Sequence, residues 1–564
     1  MIKLRGTLAA LITVLAVGLV QAGNQPVQAR NGMVVSINDI ASRVGAEVLQ
    51  DGGNAVDAAV AVGFALAVVH PSAGNIGGGG FLMFRDAGGE AVAYDFREKA
   101  PAAANAQMYL QDGEYSSEVH HRSALAIGVP GTVAGMHLAW SDHGKLPWAR
   151  LLQPAISLAR DGFELSYSLA GSMQRFAEGR AQQYPATVAA FTKNGEPYEA
   201  GEVWKQPDLA KTLEMIAVDG PKAFYEGEVA RALAEEMVRR DGMITEADLA
   251  NYEAKRRTPI RGTYRGYEII SMPPPSSGGT VLVEMLNMLE GYDVSGNGFG
   301  SAANLHLMAE AMRRAYADRA RYLGDPDFNP DMPIDRLTSK AHATQLAKTI
   351  QPNRASVSSP DSFEWPAESQ ETTHYSVVDQ DRNAVSVTYT LEGGYGVGMV
   401  VPGYGFLLNN ELGDFNAGPG ITNDGGLIGT EPNLAAPGKR PLSSMTPTIV
   451  EKDGALFMVT GSPGGRTIIN TVLGTILNAV DHGMNAQEAV DAGRIHHQWL
   501  PDQLTYEAQK FSPDTLALLT QWGHTVTERS GQGTAEVIIN DIESGLLEGG
   551  NDYRGADGGA AGVK

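Results

Sequence analysis

The stretch Glu371-Thr372-Thr373-His374-Tyr375-Ser376-Val377-Val378-Asp379 constrains this chain more than any other, because a cut before Thr372 would leave a threonine at a new N-terminus. The hydroxyl of such a threonine is a nucleophile. Its free α-amine, far less basic than lysine, can accept the hydroxyl proton directly or through water. One residue then fills two roles, and a chain severed there stays together only if both pieces share one core. Taken alone, a Thr-Thr pair simply opens a β-strand, since Thr is β-branched and frequent in strands.

The surroundings favour the chemical reading. After the turn-like Asp379-Gln380-Asp381-Arg382, the run Asn383 to Glu392 reads as the second strand of a hairpin. Alternation places Ser386, Thr388 and Thr390 on one face, so Thr390 can reach the Thr372 hydroxyl from the neighbouring strand. A slip of one residue in register would turn it away. Farther along come Leu407-Leu408-Asn409-Asn410-Glu411-Leu412-Gly413-Asp414-Phe415, then Lys439-Arg440-Pro441-Leu442-Ser443-Ser444-Met445-Thr446-Pro447, then Gly461-Ser462-Pro463-Gly464-Gly465-Arg466.

In this order the segments resemble the γ-glutamyltransferase family (γ-glutamyl transpeptidase, glutathione hydrolase), whose small subunit begins with the catalytic threonine of a Thr-Thr-His-Tyr-Ser motif. The likeness extends to Gly52 to Ala59, Gly74 to Phe81, Asp95-Phe96-Arg97-Glu98 and Pro273 to Gly279, and so covers the chain from residue 31 onward. It implies an α+β N-terminal-nucleophile hydrolase fold, an αββα four-layer sandwich with two stacked antiparallel sheets. Periodicity alone gives only a mixture of α and β.

The resemblance implies a division into a large subunit, residues 30–371, and a small subunit, residues 372–564, both in one αββα unit and bound as a heterodimer. Cleavage between Glu371 and Thr372 would be autocatalytic: the hydroxyl attacks the Glu371 carbonyl, an ester forms, and water releases it. In turnover Thr372 would attack the γ-carbonyl of glutathione or another γ-glutamyl amide. Water, an amino acid or a dipeptide would then resolve the γ-glutamyl ester. Gly464 and Gly465 would supply the oxyanion hole, where losing one donor typically costs about 3 kcal/mol of barrier. Arg97 would clamp the substrate α-carboxylate with Ser443 and Ser444, while Glu392, Glu411 and Asp414 hold the α-ammonium. Without the resemblance, Arg97 reads as a solvated strand end, the acidic trio as a polar loop and the Gly464-Gly465 segment as a turn. No cofactor or metal is implied.

Two departures from the family pattern concern the pocket. Glu392 stands where well-known members have Asn, and Glu411 where some have Gln, which makes the pocket more negative. The segment Pro419 to Gly429 matches the family's lid loop, but Gly425-Gly426 occupies the place of a tyrosine latch found in some members. The balance between hydrolysis and transfer is therefore open.

Composition sets limits. A net charge of -22 without a block of Lys and Arg argues against nucleic acid. The absence of cysteine removes disulfides, thiolate catalysis and Cys-ligated zinc. Lys3 and Arg5 precede an apolar run from Leu8 to Val20, followed by small-residue sites ending at Ala22 and Ala29. Residues 1–29 therefore read as a secretory signal peptide, too short in its apolar part for the roughly 20 residues of a membrane span. A periplasmic or secreted protein without a span after signal removal is expected.

Helical periodicity marks Ile40 to Gln50, Ala55 to Val69, Leu209 to Ala217, Glu228 to Arg240 and Ala302 to Tyr322. Strands are suggested at Gly80 to Arg85, Ala91 to Phe96, Tyr375 to Val378, Ala384 to Leu391 and Leu456 to Val459, so helices would dominate the first part and strands the last. The pairs His120-His121 and His496-His497, if on strands, point to opposite faces and make poor metal sites. His374 with Asp379 could mimic a triad but suits shaping of the cleavage site better. Gly77 to Gly80 lacks the Lys-Ser/Thr of a phosphate loop and reads as a packed turn behind the nucleophile. The alternatives are a glutaryl or cephalosporin acylase, a polyglutamate-processing enzyme and, outside the class, a non-catalytic periplasmic amino-acid-binding protein.

Overall fold

The computed structural model describes residues 25–358, 372–421 and 429–564. Expectations resting on Ala22 and the preceding apolar run, on Glu371 and on Gly425-Gly426 lie outside the described residues.

Two seven-stranded sheets form the centre. The first runs, in spatial order, Lys255–Arg257, Ala91–Phe96, Gly79–Arg85, Ala384–Thr390, Thr373–Asp379, Gly32–Ser36 and Gly559–Val563, with every neighbouring pair antiparallel. The second runs Val27–Ala29, Leu546–Asn551, Glu536–Asp541, Ala455–Thr460, Thr448–Lys452, Tyr267–Ser271 and Ile260–Tyr264, again antiparallel throughout. The sheets stack face to face, as Ser386 Oγ donates to Thr460 O at 3.0 Å and Ser376 Oγ to Glu536 O at 3.0 Å.

Side-chain alternation sorts the layers. On the strands Thr373–Asp379 and Ala384–Thr390, Tyr375, Val377, Val385, Val387 and Tyr389 join the core formed with helices Asp39–Gln50 and Ala55–Val69. His374, Ser376, Ser386 and Thr388 take the opposite face, toward the second sheet. The far side of the second sheet packs on helices Gly278–Leu289, Ala302–Tyr322 and Thr467–Val480. Helix, sheet, sheet, helix is the four-layer sandwich that the resemblance implies.

The Ala55–Val69 helix is buried at every position, so neither of its ends can rely on bulk water. Asn54 caps it by accepting from Val56 N and Asp57 N, while the Asp57 carboxylate accepts from Asn54 N at 3.0 Å. That capping box explains the lone charge in an otherwise apolar segment. The hairpin of Thr373–Asp379 and Ala384–Thr390 pins this helix from the sheet side: Tyr375 Oη donates to Ala59 O at 2.9 Å and Tyr389 Oη to Gly63 O at 2.8 Å. Position 63 must be glycine for this, since an added Cβ would lie 2.8 Å from Tyr375 Oη.

Strand content departs from expectation. Gly32–Ser36, Ile260–Tyr264 and Tyr267–Ser271 in the first half, and Thr448–Lys452, Glu536–Asp541, Leu546–Asn551 and Gly559–Val563 in the second, are sheet strands not anticipated by periodicity. Each sheet therefore interleaves strands from before and after residue 372, and although the last part is the richer in strand, as expected, half of the strands in the two large sheets come from the first. Gly32–Ser36, Thr448–Lys452 and Glu536–Asp541 are buried on both faces, and Leu546–Asn551 and Gly559–Val563 carry two glycines each, which erases the alternating signature. His120-His121 lies on the short helix Ser117–Arg122, not on a strand.

No helix among the described residues is long and apolar enough to cross a membrane. A chain cut between residues 371 and 372 is expected to elute as one species on size exclusion without denaturant and to separate into two fragments only in concentrated guanidinium, because parting them would break hydrogen-bonded ladders in both sheets.

Candidate active site

The hairpin holds the unslipped register. Thr373 pairs with Tyr389 and His374 with Thr388, so one further step along the ladder sets Thr372 opposite Thr390. Thr372 is 9 % exposed. The turn at the far end is fixed by Asp379, whose Oδ1 accepts from Asp381 N and Asn383 N, each at 3.0 Å, and whose Oδ2 accepts from Ala55 N at 3.0 Å. Asp379 is thus spent on the turn and on a helix start, and it forms no triad with His374. His374 instead bonds Thr388 Oγ1 at 2.8 Å and Ser376 Oγ at 3.1 Å. Burial holds its pKa down at about 3, so it is a neutral spacer between the sheets.

Thr390 is positioned through its main chain. Asn75 Nδ2 donates to Thr390 O at 2.8 Å, Asn75 Oδ1 accepts from Gly78 N at 2.9 Å and from Thr132 Oγ1 at 2.8 Å, and Thr390 Oγ1 accepts from Glu392 N at 2.8 Å. A Cβ on Gly78 would fall 2.1 Å from Thr390 O and one on Gly77 would fall 2.1 Å from Leu407 O. The glycine run therefore packs directly behind the Thr390 strand. Glu392 follows with φ 73°, and its carboxylate faces Asn410 Nδ2 and, at 3.7 Å, His121 Nδ1.

Arg97 and Glu98 are wholly buried, so the solvated-strand-end reading fails. The Arg97 guanidinium pairs with Glu411 through Nη1 and with Asp414 through Nη2, and Glu98 Oε2 stands 3.7 Å from Nη1. Its Nε donates to Pro441 O at 3.2 Å and Nη2 to Leu442 O at 3.4 Å, which brings the segment leading to Ser443 and Ser444 alongside. Of the acidic trio, Glu411 and Glu392 are buried at 1 % and 6 % exposed and Asp414 is half-buried, so the polar-loop reading fails as well.

Charge does not balance here. Burial disfavours the Arg97 charge, but Glu411, Asp414 and Glu98 outweigh it and raise its pKa. Burial raises the Glu411 carboxyl well above the usual range; Arg97 opposes this, while Glu98 and Asp414 reinforce it. Glu98 is pushed up to about 8 by burial, again against Arg97. The Arg97 guanidinium thus meets three carboxylates, and Glu392 adds a further negative group that bears on Glu411.

Several organising residues carried no motif signal. Arg319 donates from Nη2 to Ser444 Oγ at 2.9 Å and from Nε to Ser277 Oγ at 2.7 Å, and Ser277 Oγ donates to Ser443 O at 2.7 Å. Asn409 bridges Gly77 O at 2.8 Å and Gly128 O at 2.9 Å, tying the Glu411 segment to the glycine run. Arg440 fastens the same wall, with Nε 3.3 Å from Asp95 Oδ1. Only their appearance within quoted motifs could have hinted at Asn409, Ser277 and Arg440; Arg319 sits in the last turn of helix Ala302–Tyr322 and looks like a surface residue.

Gly464 and Gly465 belong to another wall. Their φ values, 127° and 56°, lie where glycine is favoured, and a Cβ on Gly464 would meet Thr467 Oγ1 at 2.5 Å. Gly464 O accepts from Thr467 N at 3.1 Å and Gly465 O from Ile468 N at 3.2 Å, opening the helix Thr467–Val480. In a trans peptide the N–H opposes the C=O, so the Gly465 amide points away from the helix, at its positive end. The loop abuts the nucleophile strand, since a Cβ on Gly461 would lie 2.2 Å from the His374 ring. Farther along, Gly420 N donates to Gly429 O at 3.1 Å.

The histidine pairs have structural partners. His120 bonds Tyr115 Oη at 3.0 Å and its ring lies 3.8 Å from that of Tyr109. His496 faces Asn470 at 2.7 Å, and His497 meets Asp502 at 3.2 Å.

Against known proteins, a family model described as Gamma-glutamyltranspeptidase matches residues 41–562. The chain is 50% identical over 536 residues to the glutathione hydrolase proenzyme of Escherichia coli strain K12, covering 94% of this chain and 92% of that protein. Among solved structures it resembles the cephalosporin acylase from Bacillus halodurans at TM-score 0.85 and 26% identity, over 98% of this chain and 100% of the other. It resembles Helicobacter pylori gamma-glutamyltranspeptidase at TM-score 0.55 and 48% identity, over 56% of this chain and 91% of the other.

Replacing Arg319 by Ala removes both guanidinium bonds and leaves two buried hydroxyls without a donor. The expected result is a kcat/KM at least about tenfold lower, equivalent to roughly 1–3 kcal/mol, on a γ-glutamyl anilide.

Proposed function

The chain belongs to the gamma-glutamyltranspeptidase family, and from that premise we propose that it is a self-processing enzyme which hydrolyses glutathione and other γ-glutamyl compounds, or passes the γ-glutamyl group to amino acids and peptides, through an ester on Thr372. The observation that carries the reading is the hairpin register that sets Thr372 opposite Thr390 at the start of a central strand.

In the precursor the Thr372 hydroxyl attacks the Glu371 carbonyl. The peptide becomes an ester, and water hydrolyses it to a carboxylate at Glu371 and a free amine at Thr372. In turnover that amine takes the hydroxyl proton as oxygen bonds the γ-carbonyl carbon. The oxyanion is received by the amides at Gly464 and Gly465, and the leaving amine departs with the proton. Water or an acceptor amine, deprotonated by the same base, then releases glutamate or a new γ-glutamyl amide.

At the substrate's other end, Arg97 with Ser443 and Ser444 takes the α-carboxylate, and Glu392, Glu411 and Asp414 take the α-ammonium. Because Arg97 already pairs with Glu411 and Asp414, binding an amino acid exchanges one set of ion pairs for two, and the acidic excess is neutralised by the incoming ammonium. A glutaryl group lacks that ammonium, so the likeness to a cephalosporin acylase supports the shared fold rather than its side-chain specificity.

The same reading includes export through residues 1–29. Val27–Ala29 forms the edge strand on Leu546–Asn551, and Ala29 is 4 % exposed, which favours signal removal after Ala22 over removal after Ala29.

Thr372→Ala is expected to give one unprocessed band and no turnover, whereas the wild type gives two bands, the smaller with Thr372 as its first residue by N-terminal sequencing. The wild-type kcat/KM should rise about tenfold per pH unit on the acid side and level near pH 8, as the α-amine loses its proton. Processing or turnover in Thr372→Ala would refute the assignment.

A further inference from the structure

A second group of titratable side chains lies in the outer helical layer over the second sheet. Glu284 comes from helix Gly278–Leu289, Asp318 from helix Ala302–Tyr322 and His342 from helix Lys340–Ala347, and one ligand-capable atom of each lies within 4.8 Å of the others. Glu284 is 0 % exposed, and neither of its carboxylate oxygens has a hydrogen-bond partner among the described residues. The basic group that faces it is His342, with Nε2 at 3.6 Å from Oε1. That nitrogen also stands 2.7 Å from Asp318 Oδ2. An imidazole N–H points along one line, so a protonated His342 serves Asp318 and leaves the buried Glu284 unbonded. Uncompensated burial of a carboxylate is strongly unfavourable, and a shared cation would satisfy all three groups at once.

We propose that Glu284, Asp318 and His342 form a structural binding site for a divalent first-row transition ion, Zn²⁺ foremost, that clasps three helices. One imidazole nitrogen with two carboxylate oxygens is a donor set for zinc and its neighbours, whereas calcium and magnesium take oxygen ligands. Zinc bonds to such atoms run about 2.0–2.2 Å, which sets ligand atoms roughly 3–3.5 Å apart. The 3.6 Å separation of His342 Nε2 from Glu284 Oε1 is close to that spacing, and the 2.7 Å contact to Asp318 needs only a small opening. The Asp318 and His342 side chains are 14% and 10% exposed, which gives the ion a way in and a place for a water ligand. A second cluster, His306 with Glu310 and His524, offers no such opportunity. His306 Nδ1 and His524 Nε2 are bonded to each other at 2.7 Å, and Glu310 is bonded to Ser356 N at 3.0 Å and Arg314 at 2.7 Å.

The test titrates chelator-treated, processed protein with ZnCl₂ by calorimetry and with Co²⁺ by visible absorption, comparing wild type with Glu284→Gln and His342→Ala. The expected result is one equivalent bound by the wild type, a higher Tm with Zn²⁺, and Co²⁺ bands of a low-coordinate site. Both variants should bind at least tenfold more weakly and lose the Tm shift and the bands. Glu284→Gln is neutral and nearly isosteric, and its retained turnover would certify its fold. No uptake by the wild type, or uptake unchanged in both variants, would overturn the proposal.

Discussion

The pairing of Thr373–Asp379 with Ala384–Thr390 is the constraint on which the rest depends. Because side chains alternate along a strand, its register decides at once which residues face the helices and which face the second sheet. With Tyr375 and Tyr389 turned outward, their hydroxyls reach the carbonyls of a buried helix. With His374, Ser376, Ser386 and Thr388 turned inward, the space between the sheets is bridged by hydrogen bonds near the nucleophile. Moving the ladder by one residue would bury hydroxyls against the helices and swing Thr390 away from Thr372. Asp379 guards against this by tying the turn to the start of the Ala55–Val69 helix.

The second determinant is electrostatic. In the proposed function the site holds an amino acid, which calls for one cation and an anionic surplus. Burial of Arg97 strengthens its pairing with Glu411 and Asp414, while Glu98 and Glu392 add negative charge on either side. Around this cluster Asn410 faces the Glu392 carboxylate and Asn409 accepts from Glu411 N at 3.0 Å, while Arg319 and Ser277 hold the adjoining Ser443-Ser444 segment. Glu392 and Glu411, where the family resemblance implies Asn in well-known members and Gln in some, push that surplus further.

Local chemistry made part of this legible in the sequence. The helices Ala55–Val69 and Ala302–Tyr322 are found at the expected bounds, because Asn54 and Ser301 are strong caps and His70 and Leu323 end an apolar pattern. The hairpin and the face of Thr390 followed from period-two alternation. Strands buried on both sides, such as Thr448–Lys452 and Gly32–Ser36, have no alternation to read, and Gly559–Val563 is too rich in glycine and alanine to look like a strand. The pocket was legible only as separate motifs carried by the family resemblance. The sequence does not show that Arg97 is saturated by Glu411 and Asp414, nor that Arg319 reaches Ser444 from a helix, since both depend on contacts across more than a hundred residues.

The proposed chemistry requires the oxygen of Thr372 to carry the acyl group. Rapid acid quench of the processed enzyme during turnover of a γ-glutamyl anilide, followed by digestion and mass spectrometry, tests this most directly. The prediction is a peptide beginning at Thr372 heavier by one γ-glutamyl group, labile to mild base. An adduct on any other residue, or turnover with no adduct under conditions that trap an ester, would contradict it.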